Sequence, residues 1–471
     1  MKHLLSIAVA AASANLPLSA LAEDQSMEHI IVSVPIHKQE ADTALPITII
    51  TGDELRRQAA STIGETLSNR AGIANSTYGP SVGRPVIRGQ QGPRAIPLQN
   101  NILSADVSSL SPDHAVTVEA LLADSIEVLR GPATLLYGGG AIGGVVNVID
   151  NRIPRTPIDG VQGAVEYRYQ DAADMDNTTA RFEGGNGRFA FHLSGTHRET
   201  NDINIPGFAI DENALEEQER LLGHHEEEHG DEHEEEMENT HGFIANTDSK
   251  TDAITGGFSI HFGEGNMAGL SVSRIENQYG LPPGTHEHNH EEEHGHGESD
   301  DEHDEHEDDT EEFIRIDMEQ TRYDAMLNLE QPAEWIDKIR GFLTYTDYEH
   351  NELEGSEVGT LFARETWETR VEVIYDAQFG NEAVFGLQAR VDEFEATGVE
   401  GYVPKTESTE VGLFLIEDFH QGEWTYEAGL RVDLVERDPD AQPAAKQNFS
   451  PLYTSAAAEE TRGAGLCSPR T

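Results

Sequence analysis

Beyond residue 150 the chain alternates apolar and polar positions with a period of two. Val161, Gly163, Val165, Tyr167 and Tyr169 share one face, and Gln162, Ala164, Glu166, Arg168 and Gln170 share the other. That pattern predicts a strand with unlike faces. Similar runs recur at 178–185, 189–199, 251–262, 266–275, 318–330, 338–349, 365–375, 382–393, 408–419 and 423–434. They predict about eleven strands of about ten residues, the length a tilted strand needs to cross a bilayer. Connections after even-numbered strands are short, as at Gly185 to Gly187 and Gly263 to Gly265, and most of the others are long. Alternate connections of an up-and-down sheet lie at opposite ends, so the long ones should share one end. Trp335, Trp367 and Trp424 fall near predicted strand ends, where an interfacial belt would place them. The alternation alone also suits a water-soluble all-β protein.

Residues 45–150 predict an α+β unit instead. A strand at 45–50 precedes a helix start at 51–55, and helical spacing continues over 63–70. Further strands are expected at 84–94, 125–132 and in 136–149, with a short helix at 118–123. The first 22 residues have the order of a secretory signal: Lys2 and His3, an apolar run over 4–18, then Ala20, Leu21 and Ala22. Residues 23–44 form a linking segment, and no later apolar run is long enough for a membrane helix.

Charge narrows the partners. With 31 Lys+Arg against 87 Asp+Glu, the net charge of -56 excludes nucleic acid and favours a cationic ligand. Cys467 is the one cysteine, so a metal site must use His, Asp and Glu. Twelve of the 21 histidines lie in two acidic tracts: His224, His225, His229, His233 and His241, then His286, His288, His290, His294, His296, His303 and His306. Imidazole among carboxylates suits zinc, copper, nickel or iron. His225, His229 and His233 would share a helix face, and His286, His288 and His290 would form an extended ligand ladder. Such tracts would act as an antenna that concentrates ions; the alternative is a solvated acidic loop. Asp113-His114 is a narrower metal candidate, which Glu349, His350, Glu352 and Glu354, expected on the loop after the seventh strand, would complete. No nucleophile triad, phosphate-cradling loop or closed catalytic zinc motif is present, so catalysis is not expected.

Several segments carry a family resemblance. The signal peptide, His29 to Val34, Pro46 to Ile49, Gly52 to Leu55, Arg84 to Gly89, and Ile126 to Gly138 with Gly143 to Asn147 together resemble the TonB-dependent outer-membrane receptors, over residues 1 to about 450. The resemblance implies a plug domain followed by an antiparallel transmembrane β-barrel. It implies that Ile30, Ile31, Val32, Ser33 and Val34 form the box that pairs as an added strand with TonB of the inner-membrane energy-transducing complex. It also implies that plug residues Arg88 and Arg130 face acidic groups of the barrel wall. The histidine tracts and Asp113-His114 look like the zinc-uptake branch, with Zn2+ as transported ligand and no permanent cofactor. The implied setting is the outer membrane of a Gram-negative cell, with lipid, metal ions and TonB as partners. A haem or iron-chelate (siderophore) receptor, and a secreted or periplasmic metal-sequestering protein, stand as alternatives.

About eleven strands are half of the 22 that this family closes into a barrel. Residues 151–451 are thus expected to form a partial barrel, with external loops at 200–250 and 276–317. Residues 452–471 abandon alternation and hold Cys467, which predicts an aberrant tail from a frameshift or premature stop. The downstream DNA should then continue the strand pattern in another reading frame; finding no such continuation would count against truncation.

Overall fold

The computed structural model describes residues 33, 47–138, 140–212, 214, 239–283, 313–355, 357–377, 381–399, 401–421, 424–440, 447–449 and 452–460. The plug contains β1 (Ile47–Thr51), α1 (Gly52–Gln58), α2 (Ile63–Leu67), β2 (Ile73–Thr77), β3 (Gly83–Ile87), β4 (Ala95–Gln99), β5 (Ile102–Leu103), β6 (Ser125–Leu129) and β7 (Gly144–Ile149). Its sheet runs β1-β6-β7-β4-β5, while β2 and β3 form a separate ribbon. The Thr62 hydroxyl caps α2 by accepting from the Glu65 amide. Ile50, Leu55, Ile63, Leu67, Ile87, Ile126 and Val146 close the core beneath.

The second unit is one antiparallel wall. Its strands are β8 (Asp159–Gln170), β9 (Met175–Asn186), β10 (Phe189–Thr200), then, after a hairpin of β11 (Ile203–Phe208) and β12 (His241–Ile244), β13 (Ser249–Phe262), β14 (Asn266–Gly280), β15 (Ile314–Ala333), β16 (Ile336–Glu354), β17 (Glu357–Ala377), β18 (Asn381–Gly398), β19 (Thr406–Gln421), β20 (Trp424–Pro439), β21 (Gln447–Phe449) and β22 (Leu452–Glu460). All the wall strands expected from alternation are present, in sequence order apart from the excluded hairpin. Within the expected aberrant tail, Leu452–Glu460 forms a strand, paired with β20 from Val432↔Leu452 to Trp424↔Glu460. An open strand edge offers its amides and carbonyls to any extended segment, whatever its side-chain pattern.

The wall's polarity is the reverse of a soluble sheet's. Side chains pointing to the surroundings are apolar, including Val161, Leu270, Leu343, Trp367, Val391, Leu413 and Leu430, whereas Arg322, Arg370 and Arg431 are fully buried on the plug side. This is the pattern of a lipid-facing wall, not of an ordinary water-soluble sheet. Tyr323, Tyr345 and Trp367 form a row, with ring centroids 6.2 and 4.7 Å apart. Trp335 and Trp424 lie at the opposite, short-turn end. Between Ile336 and Tyr345 lie about nine residues, ~30 Å along the strand and ~25 Å in height once tilted, which matches an apolar membrane band. Trp367 therefore lies mid-strand, not at an end, because β17 runs on past the band.

Wall side chains hold the plug through its carbonyls. Arg322 donates to the Leu103 and Gln99 oxygens at 2.8 and 3.3 Å, Gln320 to that of Ser104 at 3.0 Å and Arg364 to that of Asp106 at 2.6 Å. Arg370 and Arg431 converge on the Leu136 carbonyl at 2.5 and 3.2 Å. Each of three buried arginines is neutralised by an acid two residues on: Arg322 by Asp324, Arg370 by Glu372 and Arg431 by Asp433, at 2.9, 2.8 and 2.7 Å. Residues two apart in a strand share a face, so the repeat arms each arginine and cancels its charge locally. The connector from plug to wall presses on β13, where a Cβ at Gly257 would overlap the Arg152 carbonyl.

Among the described residues, Arg88 and Arg130 do not meet acidic groups of the wall. Arg130 donates to Thr48 of the plug's own β1. Arg88 is exposed in a turn with φ 50, and among the described residues its side chain makes no hydrogen bond to the wall. The plug needs donors for carbonyls left over at its turns, so the arginines come from the wall. Arg431→Met would leave Asp433 buried beside Glu410 without its cation, a loss of ~3–5 kcal/mol. Faster proteolytic release of the plug should report it; an unchanged cleavage rate would contradict this assignment.

Candidate metal centre

His114 follows the plug turn 107–113, and its ring points into the wall. Its Nδ1 lies 3.2 Å from the Val107 carbonyl oxygen, so Nδ1 carries the proton and Nε2 is left to face outward. Facing it on β16 are His350 and Glu352. The strand runs on to Glu354, so these residues lie within it rather than on the expected loop. Alternation then selects among the four candidates: His350 and Glu352 are buried toward the plug, Glu349 is exposed on the opposite face, and Glu354, half-buried at the strand's end, is not part of the cluster.

His114 Nε2 stands 3.0 Å from Glu352 Oε1, and His350 Nε2 stands 3.6 Å from the same oxygen. One ligand atom from each of the three residues lies within 4.8 Å of the others. A tetrahedral ion with ~2.0–2.1 Å bonds places its ligands ~3.3 Å apart, between those two separations. The His350 Nε2 is buried without a hydrogen bond, while its Nδ1 is 3.0 Å from the Tyr348 hydroxyl. A buried imidazole nitrogen 3.6 Å from a carboxylate, beyond hydrogen-bond reach, is costly unless something bonds it. Phe362 packs edge-on to both imidazoles, at centroid distances of 5.0 and 5.3 Å, and keeps the cluster dry.

Asp113 is separate from this set. Its carboxylate accepts from the Ser111 hydroxyl, and its charge acts on His114 through space. Burial works against protonation of His114, but the Glu352 hydrogen bond and the Asp113 and Glu352 charges outweigh it and raise the pKa above the ordinary value. The His114–Glu352 pair therefore adds stability that is complete below the ordinary pKa and is lost as pH rises through the raised value. A proton bridges the two groups at low pH, and a cation can replace it.

The roots of both histidine tracts lie at this end of the wall. The registers Thr200↔Ser249, Ser249↔Tyr279, Tyr279↔Ile316 and Ile316↔Glu352 run across it level with the site. His241 is exposed on β12 with its ring edge-on to Phe208 at 4.8 Å. His224, His225, His229, His233, His286, His288, His290, His294, His296, His303 and His306 lie outside the described residues, as do Ile30, Ile31, Val32 and Val34. Ser33 is described and buried: its amide donates to Glu127 at 2.8 Å, and its carbonyl accepts from the Tyr137 hydroxyl at 2.7 Å. Sequence reasoning missed Tyr348, Tyr279 and Phe362 as surroundings of the site. The signal was the inward parity of residues 348, 350 and 352, which becomes visible once the strand is carried past residue 349.

Residues 39–145 match the family model described as TonB-dependent Receptor Plug Domain. The chain is similar in fold to the copper transporter OprC (TM-score 0.64, 15% identity, covering 88% of this chain and 59% of that one). It is also similar to the FrpB iron transporter from Neisseria meningitidis, F5-1 variant in apoprotein form (TM-score 0.62, 11% identity, 88% and 61%). A third similar fold is FpvA of P. aeruginosa in a pyoverdine–iron complex (TM-score 0.63, 13% identity, 91% and 56%). The chain spans roughly three-fifths of the length of these structures. These likenesses show a plug domain and a plug-and-wall fold shared with those structures.

Glu352→Gln should remove the carboxylate charge that opposes desolvation and lower the His114 pKa. Histidine NMR titration would detect this, and an unmoved midpoint would contradict the pairing.

Proposed function

We propose that this chain belongs to an outer-membrane receptor that takes up a bare divalent metal ion, zinc, with energy supplied through TonB. The observation that carries the reading is the buried cluster of two imidazoles and one carboxylate, divided between plug and wall, with one imidazole nitrogen lacking a hydrogen bond. Three protein ligands leave a fourth position for water or an incoming donor, as suits an ion that must enter and leave. Two imidazole nitrogens and a carboxylate oxygen form a donor set that suits Zn2+.

The spacing also favours an ion over haem. Ligand atoms within 4.8 Å of one another, capped by Phe362, converge on a point rather than flank a macrocycle. On this reading the histidine tracts, rooted at the same end, gather ions and raise their concentration over the site. Ile30 to Val34 would pair with TonB as an added strand, and tension on that segment would act on the plug. The wall's apolar outer band supports outer-membrane lipid as its surroundings.

In a strain dependent on this receptor, zinc alone should restore growth under zinc limitation, and His114→Ala or Glu352→Gln should abolish the rescue. Rescue by haem but not by zinc would overturn the reading. Zinc retained by the purified protein should be lost as pH falls through the raised His114 value, because proton and ion compete for Nε2.

A further inference from the structure

The proposed centre takes one ligand from the plug and two from the wall, so its geometry depends on how the peptide carrying His114 is held against the wall. One side chain does this from both sides. Tyr279, at the end of β14 and 1% exposed, places its hydroxyl 3.1 Å from the Ala115 amide and 3.2 Å from the Asp113 carbonyl. The hydroxyl accepts from the first and donates to the second, so one oxygen uses both hydrogen-bonding roles on the two peptide groups that bracket His114. Tyr279 is wall, and the bracketed peptide is plug.

The same ring belongs to the apolar cluster around the site, with Val107, Ala115, Ile316, Tyr348 and Phe362. Val107 also supplies the carbonyl that sets the His114 tautomer. Tyr279 thus fixes where the His114 backbone sits relative to β14, the Val107 carbonyl fixes how the ring turns, and pairing of β14 through β15 to β16 fixes His350 and Glu352. We infer that Tyr279 is a positioning residue of the split metal site, which registers the plug ligand on the wall ligands. This rests on the reading of the cluster as a metal centre. Tyr279 touches no ion; it acts through the peptide of His114, as outer groups that orient metal ligands do. Any movement that unseats the plug breaks this bracket and the ligand set together, so the hydroxyl ties ion affinity to plug position.

Tyr279→Phe retains the ring and its packing and removes only the hydroxyl. Zinc binding by the full chain, measured against a competing chelator that strips weaker sites, should weaken by about ten-fold. The visible spectrum of the Co2+-loaded protein should shift as the ligand set loosens, a change that a purely structural role would not produce. In a His114→Ala background the same substitution should have no further effect on zinc affinity. An unchanged affinity and cobalt spectrum for Tyr279→Phe, or an equal weakening with and without His114, would overturn the inference. If His114→Ala itself leaves chelator-resistant zinc binding intact, the reading of the site falls. If His114→Ala weakens binding and Tyr279→Phe does not, only the role of Tyr279 falls.

Discussion

The placement of every functional group depends on hydrogen bonds that cross from wall side chains to plug carbonyls. A plug made of short strands and turns leaves carbonyls that its own sheet cannot satisfy, and buried carbonyls need donors. Gln320, Arg322, Arg364, Arg370 and Arg431 supply them. Three of these side chains, Gln320, Arg322 and Arg364, bind carbonyls between Gln99 and Asp106, the stretch that leads directly into the Val107 carbonyl and the turn carrying His114. The grip that seats the plug therefore also brings its histidine level with His350 and Glu352. Arginine is suited to this because one guanidinium reaches two carbonyls and an acid at once.

That grip also explains how a chain of net charge -56 places so much charge inside. An arginine buried alone would be costly, but the following inward position holds an acid in β15, β17 and β20. Charge cancels within each strand, and the remaining guanidinium protons are free for the plug. The site near His114 is built on the opposite principle. Among the described residues Glu352 bonds only imidazoles there, and the Asp113 charge that also acts on His114 has the same sign. The cluster is one positive charge short, which a proton supplies in acid and a divalent cation supplies in its place.

Much of this was legible in the sequence because strand parity survives translation into structure. The wall strands, the short and long connections and the common end of the roots of both histidine tracts follow from a period of two and the rule that hairpins reverse direction. Parity also contained the site: residues 350 and 352 share a face, and 349 lies on the other. The length of β16 hides it, since alternation weakens in a stretch rich in acids and the apolar pattern stops at 349, five residues short of the strand's end at Glu354. Arg88 and Arg130 misled for a different reason. Their motifs mark plug turns and strand ends, and nothing local in a sequence states whether a guanidinium will be used within its own domain or across a boundary. Leu452–Glu460 was missed because an open edge recruits strands through the backbone, which leaves little trace in side-chain pattern.

On the proposed reading, a ligand set divided between two bodies has a thermodynamic consequence that a set on one body lacks. If the ion binds more tightly when the plug is seated, it stabilises the seated plug by the same factor, because the linkage is reciprocal. Withdrawing the plug then weakens ion binding by that factor, with no separate release machinery. His114 is the term that makes this coupling large, since its departure leaves an ion with one imidazole and one carboxylate in place of three donors. Glu352 sets the other limit. Its attraction for a cation persists on the wall after His114 has moved, unless His114 carries a proton back to it on return. A neutral wall ligand at that position would release the ion more readily and capture it less well. The pairing of one carboxylate with two imidazoles thus sets affinity against release within a site that only the seated plug completes.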